Sequence, residues 1–156
     1  MTLCTTTKFF EGTGNFSTEI ITVPVPEKEP FWKRILIIDD ETDITIALKK
    51  ALTDNGFEQV ETFNDPLLAL KSFKVDLYDL LILDIIMPEI DGFELYEQMR
   101  SIDNDVKVCF ITAFEVNLQA LKAIYPTATT TDDLGCFIRK PVEVQHLIKH
   151  VRAELN

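Results

Sequence analysis

Leu80-Leu81-Ile82-Leu83-Asp84-Ile85-Ile86-Met87-Pro88, written LLILDIIMP, decides how the rest of the chain is read. A run of large aliphatic residues with a proline ahead fits a strand buried on both faces, the kind found in parallel sheets covered by helices. This run, however, stops on a carboxylate. An isolated buried carboxylate is expensive to keep charged, so Asp84 must lie at an open strand end, meet a cation or titrate to its neutral form.

Similar units recur on either side of that stretch. Upstream, Ile35-Leu36-Ile37-Ile38 reads as a buried strand. Ile44, Ala47, Leu48, Ala51 and Leu52 then fall at helical spacing on one face, and Asn55-Gly56 closes the helix. Val60 to Phe63 alternates weakly, as an edge strand does, and Asp65-Pro66 supplies an N-cap and first helical residue for LLALKSF. Downstream, PEIDGFELYEQMR makes a loop and a helix with Phe93, Tyr96 and Met99 on its inner side. Val106 to Ile111 is a fourth strand, and Leu118, Leu121 and Tyr125 mark a shorter helix. Cys136-Phe137-Ile138 is a fifth strand, and Val144, Leu147, Ile148, Val151 and Leu155 line a last helix.

Five strands, each followed by a helix, require right-handed crossovers and a parallel sheet with helices on both faces. The apolar first, third and fourth strands belong at the centre and the weaker second at an edge. The expected fold is therefore α/β, doubly wound and flavodoxin-like, with strand order 2-1-3-4-5.

Composition narrows the function. The net charge of −11 repels phosphate backbones, which argues against direct nucleic-acid binding, and no apolar run is long enough for membrane insertion. The N-terminus lacks the basic and apolar regions of a secretory signal, so a cytoplasmic location is expected. Cys4, Cys109 and Cys136 lack the close spacing of a zinc site, and their odd number argues against a disulfide framework; Cys109 and Cys136 read as small core residues. Residues 1–30 differ in kind, with scattered glycines and then Pro24, Pro26 and Pro30, and read as a flexible or disordered leader. A short strand at Ile20 to Val25 is the other reading of that segment.

In open sheets of this type the ligand site lies outside the carboxyl ends of the strands, where the strand order reverses. The polar residues due there are Asp39 and Asp40 after the first strand, Asp84 after the third, Thr112 after the fourth and Lys140 after the fifth. Three carboxylates gathered without a counterion would force one to protonate, and a hard divalent cation such as Mg²⁺ removes the conflict. Lysine adds a compact positive charge, and a threonine hydroxyl can donate to a phosphoryl oxygen. This set suits phosphoryl transfer onto Asp84, whose carboxylate can form an acyl phosphate. Singly, each residue has a plainer role: Asp40 or Thr42 as a helix cap, Thr112 as a strand-end hydroxyl, Lys140 as a surface lysine. Together they define one site.

Those residues also resemble a known family, the receiver domain of two-component response regulators. ILIIDDE, LLILDIIMPEIDGFEL, VCFITAF and CFIRKPV are similar to its four signature segments and occur in the same order, placing a receiver domain at residues 31–156. The resemblance implies a signalling module rather than an enzyme with a substrate of its own. It would take a phosphoryl group onto Asp84 from a histidine kinase or phosphotransfer protein. It also implies Mg²⁺ held by Asp40 and Asp84, by Asp39 through water and by the Ile86 carbonyl, with Thr112 and Lys140 contacting the phosphoryl group. A cis Lys140-Pro141 peptide is a further implication. Thr112 and Phe137 would form a switch that reshapes the face made by the fourth helix, fifth strand and fifth helix, where an unknown downstream protein binds.

The segment from Ala113 to Gly135 is longer than its counterpart in the family, with the excess in TATTTDD, which weakens inference about that output face. With no effector after Asn156, the chain is expected to be a stand-alone, chemotaxis-receiver-like module. Ile86 and Phe114, two positions beyond Asp84 and Thr112, are bulky and expected to hinder the attacking water and lengthen the life of the acyl phosphate. Two alternatives differ in class. A phosphorylation-independent pseudo-receiver that only binds partners would usually lack one of the five polar residues. A phosphohydrolase of the haloacid dehalogenase type would carry its nucleophile in a D-x-D pattern after the first strand, where this chain has Asp39-Asp40.

Overall fold

The computed structural model describes residues 33–113 and 136–156, together with the backbone of two short strands nearer the N-terminus. Those strands, β1 (Phe9–Phe10) and β2 (Phe16–Ser17), pair antiparallel within a compact unit spanning Met1–Pro30. The Ile20 to Val25 segment lies outside the described residues, as does the stretch holding Phe114, Leu118, Leu121, Tyr125 and TATTTDD.

The second unit, Phe31–Asn156, is built from β3 (Ile35–Ile38), α1 (Thr42–Asp54), β4 (Val60–Phe63), α2 (Pro66–Ser72) and β5 (Leu80–Asp84). It continues with α3 (Gly92–Ile102), β6 (Lys107–Thr112), β7 (Cys136–Arg139) and α4 (Val144–Leu155). The sheet runs β4-β3-β5-β6-β7 with every neighbouring pair parallel, which is the expected flavodoxin-like 2-1-3-4-5 order. No helix among the described residues is long and apolar enough to cross a membrane.

Alternation along the strands explains why they read as unbroken apolar runs. Leu36, Ile38, Leu81, Leu83, Val108 and Phe110 point to one face, where they meet Ala69 of α2 and Phe93, Leu95 and Met99 of α3. Ile35, Ile37, Leu80, Ile82, Ile111 and Ile138 point to the other, against Leu48 and Leu52 of α1 and Leu147, Ile148 and Val151 of α4. Both faces of β3 and β5 are covered along their whole length, so neither strand carries a polar residue before its carboxyl end. Full burial of one such aliphatic side chain stabilises the fold by about 1.5–3 kcal/mol, which makes the register of β5 hard to shift.

Local chemistry sets the helix ends. The Asp65 side chain accepts from the N–H groups of Leu67 and Leu68 at 2.9 and 3.0 Å, and Pro66 opens α2. Asp65→Ala is expected to destabilise the protein by about 1 kcal/mol, a fall in Tm of about 2–4 °C in a chain of this size, read by thermal denaturation. Asp91 caps α3 in the same way through Phe93 and Glu94. Gly56, beyond the end of α1, has φ of 95°, a left-handed conformation that glycine adopts without penalty.

Two expectations about packing are corrected. On α1, Ala47 is exposed and Thr45 is buried in its place, its hydroxyl donating to the Thr42 carbonyl and accepting from Asn64. That bond ties α1 to Asn64 in the loop after β4. Val144, counted with the apolar stripe of α4, is likewise exposed. The cysteine reading also changes: Cys109 and Cys136 are buried as expected but disulfide-bonded, because the register of β6 and β7 sets them directly opposite each other.

Candidate functional site

Four strands deliver the site at one end of the sheet. Asp39 follows β3 directly, Asp84 ends β5, Thr112 ends β6, and Lys140 follows β7. Asp84 is in register with Ile111, so Thr112 stands one residue beyond it at the same edge. Asp39 and Asp84 are 1% and 6% exposed, whereas Asp40 lies open to solvent. One carboxylate oxygen from each of Asp39, Asp40 and Asp84 falls within 4.8 Å of the others. The sequence expectation of a single acidic cup is met in space.

Lys140 closes the cup. Its ammonium Nζ lies 2.8 Å from Asp39 Oδ2, 3.1 Å from Glu41 Oε1 and 3.5 Å from Asp84 Oδ2. The backbone anchors it there, the Lys140 N–H donating to the Thr112 carbonyl at 2.7 Å. The Lys140-Pro141 peptide is cis, as expected. Glu41 was not singled out in the sequence, although it adjoins the Asp39-Asp40 pair. As the N-cap residue of α1 it makes no side-chain capping bond, and its carboxylate reaches Lys140 instead. Neither Asp40 nor Thr42 caps that helix. The Glu41 N–H is taken up by Asp39 Oδ1 at 2.9 Å, which fixes the Asp39 carboxylate with its other oxygen toward the cup.

The electrostatics follow from burial and crowding. Burial raises the Asp84 pKa above the usual carboxylate value and the Asp39 charge raises it further, while Lys140 and the Ile86 backbone N–H pull it down. Burial disfavours the Lys140 charge, but Asp39, Glu41 and Asp84 outweigh that and hold its pKa above the ordinary lysine value. The cup is thus an acidic site short of positive charge. Asp39 Oδ2 is buried and accepts no directed hydrogen bond, its neighbour being the Lys140 ion pair. Three oxygen donors around an under-compensated pocket that opens to water at Asp40 fit a small hard cation, which prefers oxygen ligands and keeps part of its water shell.

The loop after Asp84 is held by unusually close backbone packing. A Cβ added to Gly92 would lie 2.2 Å from the Asp84 carbonyl oxygen, and the Gly92 N–H donates to the Ile85 carbonyl at 2.9 Å. Gly92 is therefore a second position that sequence reading passed over, and its signal was the DG pair at the start of α3. Ile86 is 56% exposed at the mouth of the site. Phe137 is half-buried, its ring stacked on Phe110 with centroids 5.3 Å apart and tilted toward Phe93 at 6.3 Å.

Comparisons with known proteins identify the relatives of this chain. A family model described as the response regulator receiver domain matches residues 35–152. The response regulator MprA of Mycobacterium leprae is 33% identical over 123 residues, which span 79% of this chain and 51% of that protein. The response regulator receiver protein CpdR of Brucella abortus is also 33% identical over 123 residues, there covering 97% of the relative. The chain thus spans about half the length of its MprA relatives and nearly all of CpdR. Among solved structures, a CheY-like receiver domain protein from Methanospirillum hungatei superposes with a TM-score of 0.63 at 25% identity, covering 79% of this chain and 93% of that one.

Proposed function

Because this chain belongs to the response regulator receiver domain family, we propose that it is a phosphorelay receiver that takes a phosphoryl group onto Asp84 from a histidine kinase or phosphotransfer protein. The observation that carries the proposal is the meeting of Asp39, Asp40, Asp84 and Lys140 in one cup from three separate strand ends. A carboxylate oxygen of Asp84 attacks the donor's phosphorus, and a new P–O bond forms as the donor's P–N bond breaks. The leaving imidazole keeps the bonding electron pair and recovers a proton from solvent.

Each residue has a share in that step. The end of β5 presents the Asp84 carboxylate in a fixed direction, which removes much of the orientational penalty. Lys140 moves toward the transferred group and stabilises negative charge on one of its oxygens, and the Thr112 hydroxyl donates to another. Asp39, Asp40, Asp84 and the Ile86 carbonyl would hold Mg²⁺, which when bound neutralises charge on the cup and on the phosphoryl oxygens.

The output is a change of surface. Drawing Thr112 toward the phosphoryl group would let the Phe137 ring turn further into the space beside Phe110 and Phe93, remodelling the face around β7 and α4 where a downstream protein docks. We place the protein in the cytoplasm, with residues 1–30 as a leader separate from the receiver at 31–156. Ile86 and Phe114 are proposed to shield the acyl phosphate from water. Phe114→Glu is expected to speed dephosphorylation several-fold, read from the decay of phosphorylated protein after the donor is removed; an unchanged decay would remove the shielding role.

A pseudo-receiver is the second reading, supported by Lys140 lying nearer to Asp39 and Glu41 than to Asp84. Borohydride trapping separates the two. Reduction of an acyl phosphate leaves homoserine, and peptide mass spectrometry should find it at position 84 after incubation with a phosphohistidine donor and Mg²⁺. Its absence there, with donor phosphate undiminished, would favour the pseudo-receiver.

A further inference from the structure

The chain has two histidines, and α4 places them together. His146 and His150 are separated by one helical turn, so their side chains project from the same face. Their Nε2 atoms lie 3.0 Å apart, and the rings meet edge to face with centroids 4.6 Å apart. Neither residue belongs to the acidic cup, and neither contributes to the buried stripe of α4, which is made by Leu147, Ile148 and Val151. His146 is exposed and His150 half-buried, so both are within reach of solutes. Among the described residues, neither histidine belongs to the buried stripe of α4 or to the phosphoryl site described above.

We propose that His146 and His150 form a two-histidine clamp for a divalent transition-metal ion, with Cu²⁺ and Ni²⁺ as the fitting ions. Imidazole nitrogens bind such ions at about 2.0–2.1 Å, so two ligands at the observed 3.0 Å separation subtend roughly 95° at the metal. That angle belongs to adjacent corners of a square or octahedron. A tetrahedral ion would hold the same two nitrogens about 3.3–3.4 Å apart at the same bond length, which makes zinc the poorer match.

Ligand chemistry points the same way. Imidazole suits nickel and copper, tetragonal nitrogen sites favour Cu²⁺ and Ni²⁺, and affinity among divalent first-row ions peaks at copper. A pair of histidines at this spacing on one helix face is a recurrent metal-binding arrangement, because the helix fixes both ligands in advance and little side-chain entropy remains to be lost. The ligand form is the neutral ring. Burial, His146 and Lys149 all act to keep His150 neutral, with Glu154 opposing them. The net charge of −11 further favours capture of a cation. The ion would link two turns of α4, with water or an external donor filling its remaining positions.

The test uses the full chain in a non-coordinating buffer with saturating Mg²⁺ present, so that the acidic cup is occupied. Titration with NiCl2, followed by calorimetry and by the change in Tm, should reveal one bound equivalent and a rise in Tm. His146→Gln and His150→Gln should each weaken binding at least tenfold and abolish the Tm rise, with helix content by circular dichroism unchanged. With one equivalent of Cu²⁺, electron paramagnetic resonance should show coupling to two imidazole nitrogens in the wild type and lose it in either variant. No saturable nickel binding by the wild type, or binding retained by either variant, would overturn the proposal.

Discussion

Lys140→Ala is expected to slow phosphorylation of Asp84 by roughly 10²–10³-fold, the usual consequence of deleting one group that stabilises charge developing in a transition state. The same change leaves the Asp39 carboxylate, 1% exposed, without the cation 2.8 Å away that offsets it. Removing one partner of a buried ion pair destabilises a protein by about 3–5 kcal/mol, and the low end applies here because the cup opens to water at Asp40. The two effects have different remedies. Mg²⁺ can supply the missing positive charge to the carboxylates, so the Tm of the variant should respond to Mg²⁺ more strongly than that of the wild type. It cannot replace the ammonium at the phosphoryl oxygen, so the rate should stay low. Lys140→Arg keeps the charge but presents a planar fork in place of a compact ammonium, and should recover stability better than rate. A Lys140→Ala protein that is phosphorylated at the wild-type rate would show that the lysine serves only to neutralise the cup.

Gly92→Ala is expected to have the largest effect of any single methyl group added to the site. The new Cβ would lie 2.2 Å from the Asp84 carbonyl oxygen and 3.0 Å from Ile85 Cα, both backbone atoms that cannot swing aside as a side chain can. Overpacking of this kind costs about 1–3 kcal/mol, a fall in Tm of about 2–12 °C at this size. Relief must come from moving the start of α3 or the end of β5, and the latter carries Asp84. Phosphorylation should therefore fall even in protein that remains folded at the assay temperature, read by comparing phosphorylation rate with the fraction folded by circular dichroism. A folded Gly92→Ala protein with wild-type phosphorylation would mean that α3 yields freely and that the close approach does not hold Asp84 in place.

The reach of the sequence can be judged residue by residue. The run ending at Asp84 was legible because burial on both faces of a parallel strand removes every polar position, so the first carboxylate marks the strand end. Asp39 was legible for the same reason at the end of β3, Thr112 and Lys140 because they follow the apolar runs of β6 and β7 at the same edge of the sheet, and Asp65-Pro66 because capping is local chemistry. What escaped depends on contacts between distant segments. Glu41 looks like an ordinary helix-start residue until Lys140, 99 positions away, is seen to reach it. Gly92 reads as a loop glycine until the Asp84 carbonyl is placed against it. The Cys109–Cys136 bond follows from the register between β6 and β7, which no spacing of 27 residues encodes. Thr45 took a buried position expected of an alanine because its hydroxyl has partners in Thr42 and Asn64, and helical periodicity counts only apolar side chains.

The most direct test of the central claim is the intact mass of the protein after incubation with acetyl phosphate and Mg²⁺. The wild type should gain the mass of one phosphoryl group, Asp84→Asn should gain none, and a chelator added before the donor should abolish the gain in the wild type. A phosphoryl group acquired equally by Asp84→Asn, or acquired in full with the metal removed, would contradict the assignment of Asp84 as the acceptor in a cation-dependent cup.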